Sequence, residues 1–232
     1  MASVQRKDTL EERLKDPGYK YWMKAGMCLI HVKKGLETFV DAESKTVYHD
    51  ILSRCVPCGQ CTQDGLKQKN NKALCPKCDS FKREIKRIYR YGRPNWDNTD
   101  VQNWHYDHWS VAKCFMNLGQ SGINSASDTD ISGLLNFIIM CKRFQDPKYG
   151  DLTKNAEKSL IIVILRTETR SKELFTLIVR DGRNHLMHSK HDQLTEAELK
   201  SCTNNMLKLL NDVQQLKGCK ESVIARDRII EV

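Results

Sequence analysis

Five cysteines fall between Cys55 and Cys78, spaced CVPCGQC and then, beyond a polar loop, CPKC. Paired Cys-x2-Cys turns deliver two thiolates each to one point. Four thiolates around a tetrahedral Zn²⁺ make a closed structural site. Such a cross-link dictates how the flanking segments approach one another. All ten cysteines of the chain could instead be read as a disulfide framework, but that needs a secretory route. The opening MASVQRKDTLEERLKD is polar and charged, so no signal peptide is expected. The other five cysteines, Cys28, Cys114, Cys141, Cys202 and Cys219, sit in apolar or helical segments and read as small hydrophobes or surface thiols. The expectation is a reduced, cytoplasmic protein with one structural zinc.

Five candidates compete for four places: Cys55, Cys58, Cys61, Cys75 and Cys78. The Cys-x2-Cys spacing retains Cys58, while His49, His105 and His108 are weaker candidates. A catalytic zinc would need an open position and a nearby acid or base, which this segment does not suggest.

Hydrophobic periodicity predicts an all-α fold. Trp22, Ala25, Leu29, Val32, Leu36 and Phe39 recur at helical steps between 19 and 40, after an Asp16-Pro17-Gly18 start signal. A shorter helix is expected over 44–52, and another over 80–91 with Phe81, Ile85 and Ile88 on one side. Trp96 and Trp104 indicate a packed loop over 92–107. Asp107 is expected to cap HWSVAKCFM, and Asp128 or Asp130 to cap ISGLLNFIIMCKRF. Helical patterns resume from about Leu152 through His188, although LIIVIL fits helix or strand equally. A long amphipathic helix is expected over 194–216, capped by Thr195. The polar run GQSGINSASDTD is the clearest linker and divides the chain into 1–118 and 119–232. The apolar runs 160–165 and 134–141 are too short to span a bilayer, so no membrane is expected.

The formal net charge is +9, which favours an acidic partner. Lys82, Arg83, Lys86, Arg87 and Arg90 lie on the helix after Cys78, with Tyr89 and Tyr91 at its end. Cations of this kind neutralise RNA phosphates, and interleaved aromatics stack on bases. The plain reading of the same residues is a solvated basic face. A second concentration of chemistry is Arg183-Asn184-His185-Leu186-Met187-His188. In a helix Asn184 and His188 stand one turn apart. An arginine that steadies a phosphate and a histidine that moves protons are parts of metal-free RNA cleavage.

DISGLLNFI at 130–138, followed by VRDGRNHLMHS, resembles the HEPN superfamily, in particular the branch of the DAZ-interacting zinc-finger ubiquitin ligase. This resemblance implies a helical bundle over about 104–216. It also implies a metal-independent endoribonuclease motif in Arg183, Asn184 and His188, with two chains pairing as a homodimer to form one site. YKYWMKAGMCLIHVKKGL, CPKCDSFKREI and WHYDHWSVAKCFM resemble a family of X-chromosome open-reading-frame proteins. The stretch between the Asp130 helix and Arg183 is longer here than in that family. That likeness implies Cys55, Cys61, Cys75 and Cys78 as the ligand set, with Cys58 spare. Two functional expectations follow. One is an RNA-associated protein that cleaves RNA through Arg183, Asn184 and His188. The other is a non-catalytic interaction or dimerisation module with a structural zinc.

Overall fold

In a computed structural model, described over residues 9–66, 73–166, 193–212 and 214–232, the chain is helical. An isolated bridge between Tyr89 and Cys141 is the one piece of β-pairing among the described residues. The helices are α1 (Leu10–Arg13), α2 (Pro17–Leu52), α3 (Gln63–Leu66), α4 (Pro76–Ile88), α5 (His108–Ala112), α6 (Ile131–Met140), α7 (Leu152–Arg166), α8 (Glu196–Asn211), α9 (Gln214–Lys217) and α10 (Lys220–Ile230). The all-α expectation is met. Among the described residues no helix is long and apolar enough to cross a membrane.

The axis of the molecule is α2. It starts where Asp16 accepts a hydrogen bond from Gly18 N–H and Pro17 fills the first helical position, whose N–H would have no partner. Two helices were expected over 19–52. One forms, because nothing between Val40 and Ser44 breaks the backbone and the buried stripe continues through Val47 to Ile51. Its apolar face (Ala25, Cys28, Leu29, Val32, Leu36, Phe39) is buried against α6, α8 and α10. The last of these was not anticipated from sequence. It runs antiparallel to α2, with Lys24 donating to the Val232 carbonyl at one end and Gly35 meeting Ala225 and Ser222 at the other. A Cβ at Gly35 would lie 3.0 Å from Ala225, so the missing side chain lets these helices approach closely.

Asp130, rather than Asp128, caps α6 by accepting from Gly133 N–H. Residues Gly133–Met140 are all buried, as an all-round apolar pattern requires. The helix ends at Cys141, which turns extended opposite Tyr89, and Met140 accepts from Arg90 N–H at 2.7 Å. The expected 194–216 helix divides into α8 and α9. Thr195 and Glu198 form a capping box at the start of α8. Residues 117–129 are ordered by side chains: Asn98 accepts from Gln120 N–H, and Lys33 donates to the Ser127 carbonyl. A single apolar cluster draws residues from both sides of this segment.

A buried polar knot joins α2 to the turns after α6. Glu43 accepts from Arg143 Nε at 2.7 Å and from the Tyr149 hydroxyl at 2.8 Å, while Arg143 also reaches Asp50. Burial, with the Glu43 carboxylate beside it, holds the Tyr149 phenol protonated far above the ordinary range.

Candidate metal centre

The chain leaves α2 at Leu52 and enters the loop carrying Cys55, Cys58 and Cys61. Two more cysteines wait at the start of α4. Cys75 is the N-cap of that helix and its sulfur accepts from Cys78 N–H at 3.5 Å, while Pro76 occupies the first turn. Cys78 is fully buried and points into the core beside Phe81 and Ile85, the apolar face of α4. That face fixes the rotation of the helix, and so fixes where both sulfurs point.

Cys58, Cys61, Cys75 and Cys78 bring their sulfur atoms within 4.8 Å of one another. The Cys58–Cys61 separation is 3.6 Å and the Cys58–Cys78 separation 3.4 Å. A tetrahedron of sulfurs at a Zn–S distance of about 2.3 Å has edges of about 3.8 Å. A disulfide, at about 2.05 Å, is far shorter than either distance. The four cysteines are thus placed to hold one metal ion.

Backbone N–H groups point at the same sulfurs. Gln60 N donates to Cys58 Sγ at 3.3 Å, Cys75 N to Cys61 Sγ at 3.3 Å, and Cys58 N to Cys78 Sγ at 3.4 Å. With the Cys78 N–H on Cys75, each sulfur accepts one backbone donor. Such donors stabilise thiolate, the form that binds metal. The Gln60 N–H, above all, pulls the Cys58 thiol down to about 6, whereas burial pushes the Cys61 and Cys78 thiols up. Four thiolates this close repel each other, and a divalent cation at their centre relieves the repulsion.

Gly59 makes the turn. Its φ is +71°, and a Cβ there would lie 2.8 Å from His105 Nδ1. His105 covers the loop with that nitrogen 2.7 Å from the Gln102 carbonyl. The ring belongs to a packed segment: Trp104 donates to Thr99 Oγ1, accepts the Tyr48 hydroxyl at its carbonyl and lies 5.3 Å from Phe81. The expectation that 92–107 is packed is met, and its packing supports the cysteine loop.

The ligand set implied by resemblance needs correction. Cys58 belongs to the four, and Cys55 does not: its thiol turns back onto the last turn of α2, 3.7 Å from the Ile51 carbonyl. The reason is the backbone at Gly59, which brings Cys58 and Cys61 into one turn. CGQC carries a glycine directly after its first cysteine, and that was the readable signal. None of the three candidate histidines joins the cluster: His105 lies on Gly59, His108 Nε2 is 3.2 Å from Asp41, and His49 packs near Tyr48.

The five basic residues expected on one face of α4 do not all lie there. Lys82 is buried, its Nζ donating to the Leu66 carbonyl at 3.0 Å and lying 5.8 Å from the Trp96 ring centre. It follows the apolar side of the helix because its neighbours Phe81 and Ile85 do, and its long stem packs with them. Arg90 lies beyond the helix end, half-buried, and pairs with Glu157 at 2.7 Å. Arg83, Lys86 and Arg87 face solvent, with Arg83 paired to Asp79 and Arg87 to Glu84. Lys82 and Arg90 are therefore removed from the expected phosphate contacts. Arg183, Asn184 and His188 lie outside the described residues.

Comparison with known proteins places the chain in a family. A mouse protein named "Uncharacterized protein CXorf38 homolog" is 25% identical over 229 residues, covering 95% of this chain. The chain spans 62% of that relative's length. This agrees with the X-chromosome open-reading-frame resemblance. No solved structure matches the chain. The family model described as "Domain of unknown function (DUF4559)" matches residues 13–231, nearly the whole sequence, and the chain belongs to that family.

Proposed function

We propose that Cys58, Cys61, Cys75 and Cys78 hold one structural Zn²⁺, and that the chain is an RNA-associated helical protein whose basic α4 face is fixed by that metal. The convergence of four sulfurs, each with a backbone N–H donor, carries the metal reading. All-sulfur ligation favours zinc over hard cations. Four protein ligands complete a tetrahedron and leave no open position, so the role is to cross-link the loop after α2 to the first turn of α4. The RNA reading is supported by the exposed Arg83, Lys86 and Arg87 and by the surplus of nine positive charges. Binding of labelled single-stranded RNA by the zinc-loaded chain tests it. Affinity should fall steeply with salt, and the absence of binding at low salt would refute it.

Cleavage through Arg183, Asn184 and His188 is a sharper form of the proposal and rests on the HEPN resemblance. Its test is single-stranded RNA incubated in EDTA with wild type and with His188→Ala. Cleavage that survives the substitution counts against it. The interaction-module reading is favoured by a separate observation: Met23, Met27 and Ile30 form an exposed apolar stripe on α2. Light scattering across a concentration series tests self-association, and a dimer dispersed by Met27→Glu supports it.

A further inference from the structure

Arg87, on the basic helix, also lines a cleft of about 440 Å³ where the ends of α2 and α4 meet the turns after α6. This size falls within the range of about 300–1,000 Å³ usual for small-ligand sites, with room for a nucleotide unit. Arg54, Lys142, Arg143 and Lys148 line it from three other segments. Arg54 and Arg87 are drawn together on a single oxygen of Glu84, at 3.1 and 2.9 Å. One carboxylate oxygen between two guanidiniums leaves several N–H donors for another anion.

The charge balance supports an anionic occupant. Five cations line the cleft, Arg54, Arg87, Lys142, Arg143 and Lys148, against two lining carboxylates, Asp50 and Asp146, with Glu43 and Glu84 paired to the arginines beside it. Two of those acids, Glu43 and Asp50, are taken by Arg143. The C-termini of α2 and α4 add about half a negative charge each. Lys142 answers one of them by donating to the Arg87 carbonyl at 2.9 Å. Two of the lining cations, Lys142 and Lys148, form no ion pair among the described residues.

We infer that this cleft is a phosphate-binding site for the RNA backbone, in which Arg54, Arg87, Lys142 and Lys148 extend the exposed face of α4 into a concave track. The inference rests on the RNA reading above and adds a site that the α4 sequence alone does not define. The test uses the zinc-loaded full chain, a fluorescein-labelled 20-nucleotide oligouridylate, and anisotropy over a potassium chloride series. Arg54→Ala combined with Lys148→Ala removes two exposed side chains, and metal content and melting temperature report whether the fold survives. Each phosphate contact on a single strand contributes about 0.7 to the slope of log affinity against log salt, so the double variant should lose about 1.4 of it. An unchanged slope and affinity, with wild type still binding, overturns the cleft alone. No binding by wild type overturns the RNA reading and the cleft together. Binding to phosphatidylserine vesicles but not to RNA has the same consequence, since the charge then serves a lipid surface.

Discussion

Replacing Gly59 with alanine should weaken metal binding by a predictable amount. The residue sits at φ +71°, where an L side chain costs about 1–2 kcal/mol. The new Cβ would also meet His105 Nδ1 at 2.8 Å, against an ordinary contact of about 3.5 Å, so the ring must move. Moving it breaks the contact with the Gln102 carbonyl, worth about 0.5–1.5 kcal/mol. Together these come to about 1.5–3.5 kcal/mol. If the metal-free loop relaxes the strain, that is about 10–300-fold in zinc affinity at about 1.4 kcal/mol per tenfold. Competition against a chromophoric chelator measures it. In a His105→Ala background only the backbone part remains, so the same substitution should cost about 5–30-fold. The difference between the two backgrounds is the coupling. Gly59→Ala with zinc affinity within threefold of wild type would refute the left-handed turn as the element that pairs Cys58 with Cys61. Equal losses in both backgrounds would refute the contact with His105.

Other outcomes follow from the same geometry. Ile85→Ala, at a fully buried position on α4, should lower unfolding stability by about 2–5 kcal/mol in urea titration. Lys82→Met should leave RNA affinity and its salt dependence unchanged, because that ammonium is occupied by the Leu66 carbonyl, whereas Lys86→Glu should weaken both. In the metal-free chain the Cys58 thiol titrates at about 6 when folded, below its ordinary 9.0. Its thiolate therefore contributes stability that is present above pH 9 and lost as pH falls towards 6. The Cys61 and Cys78 thiols are shifted upward, so their contribution is lost above pH 9 instead, outside this window. Melting temperature between pH 9 and 6 should thus fall more steeply in the metal-free wild type than in Cys58→Ser.

The parts of the fold legible in sequence were those set by local chemistry. Asp16, Asp107, Asp130 and Thr195 each announce a helix start, and each caps one. The periodic stripe of α2 and the all-round apolar α6 name the core in advance. What tertiary packing decides was less visible. The helix α10 has charged residues at five of its eleven positions beyond its buried Ser222, Ala225 and Ile229, so its amphipathic signal is weak. The cysteine site was legible as a cluster but not as a ligand set. Cys55-x2-Cys58 and Cys58-x2-Cys61 share a cysteine and spacing cannot separate them; the positive φ at Gly59 does. Basic residues on α4 look equivalent by composition, yet helix rotation sends Lys82 into the core and leaves Arg83 and Lys86 in solvent.

The central claim is that Cys58, with Cys61, Cys75 and Cys78, forms a closed four-sulfur zinc site and that Cys55 stands outside it. Zinc content per chain, measured by elemental analysis after dialysis against a moderate chelator, tests it on Cys55→Ser and Cys58→Ser side by side. The proposal predicts one zinc retained in wild type and Cys55→Ser and lost from Cys58→Ser. Retention in Cys58→Ser with loss from Cys55→Ser would contradict it.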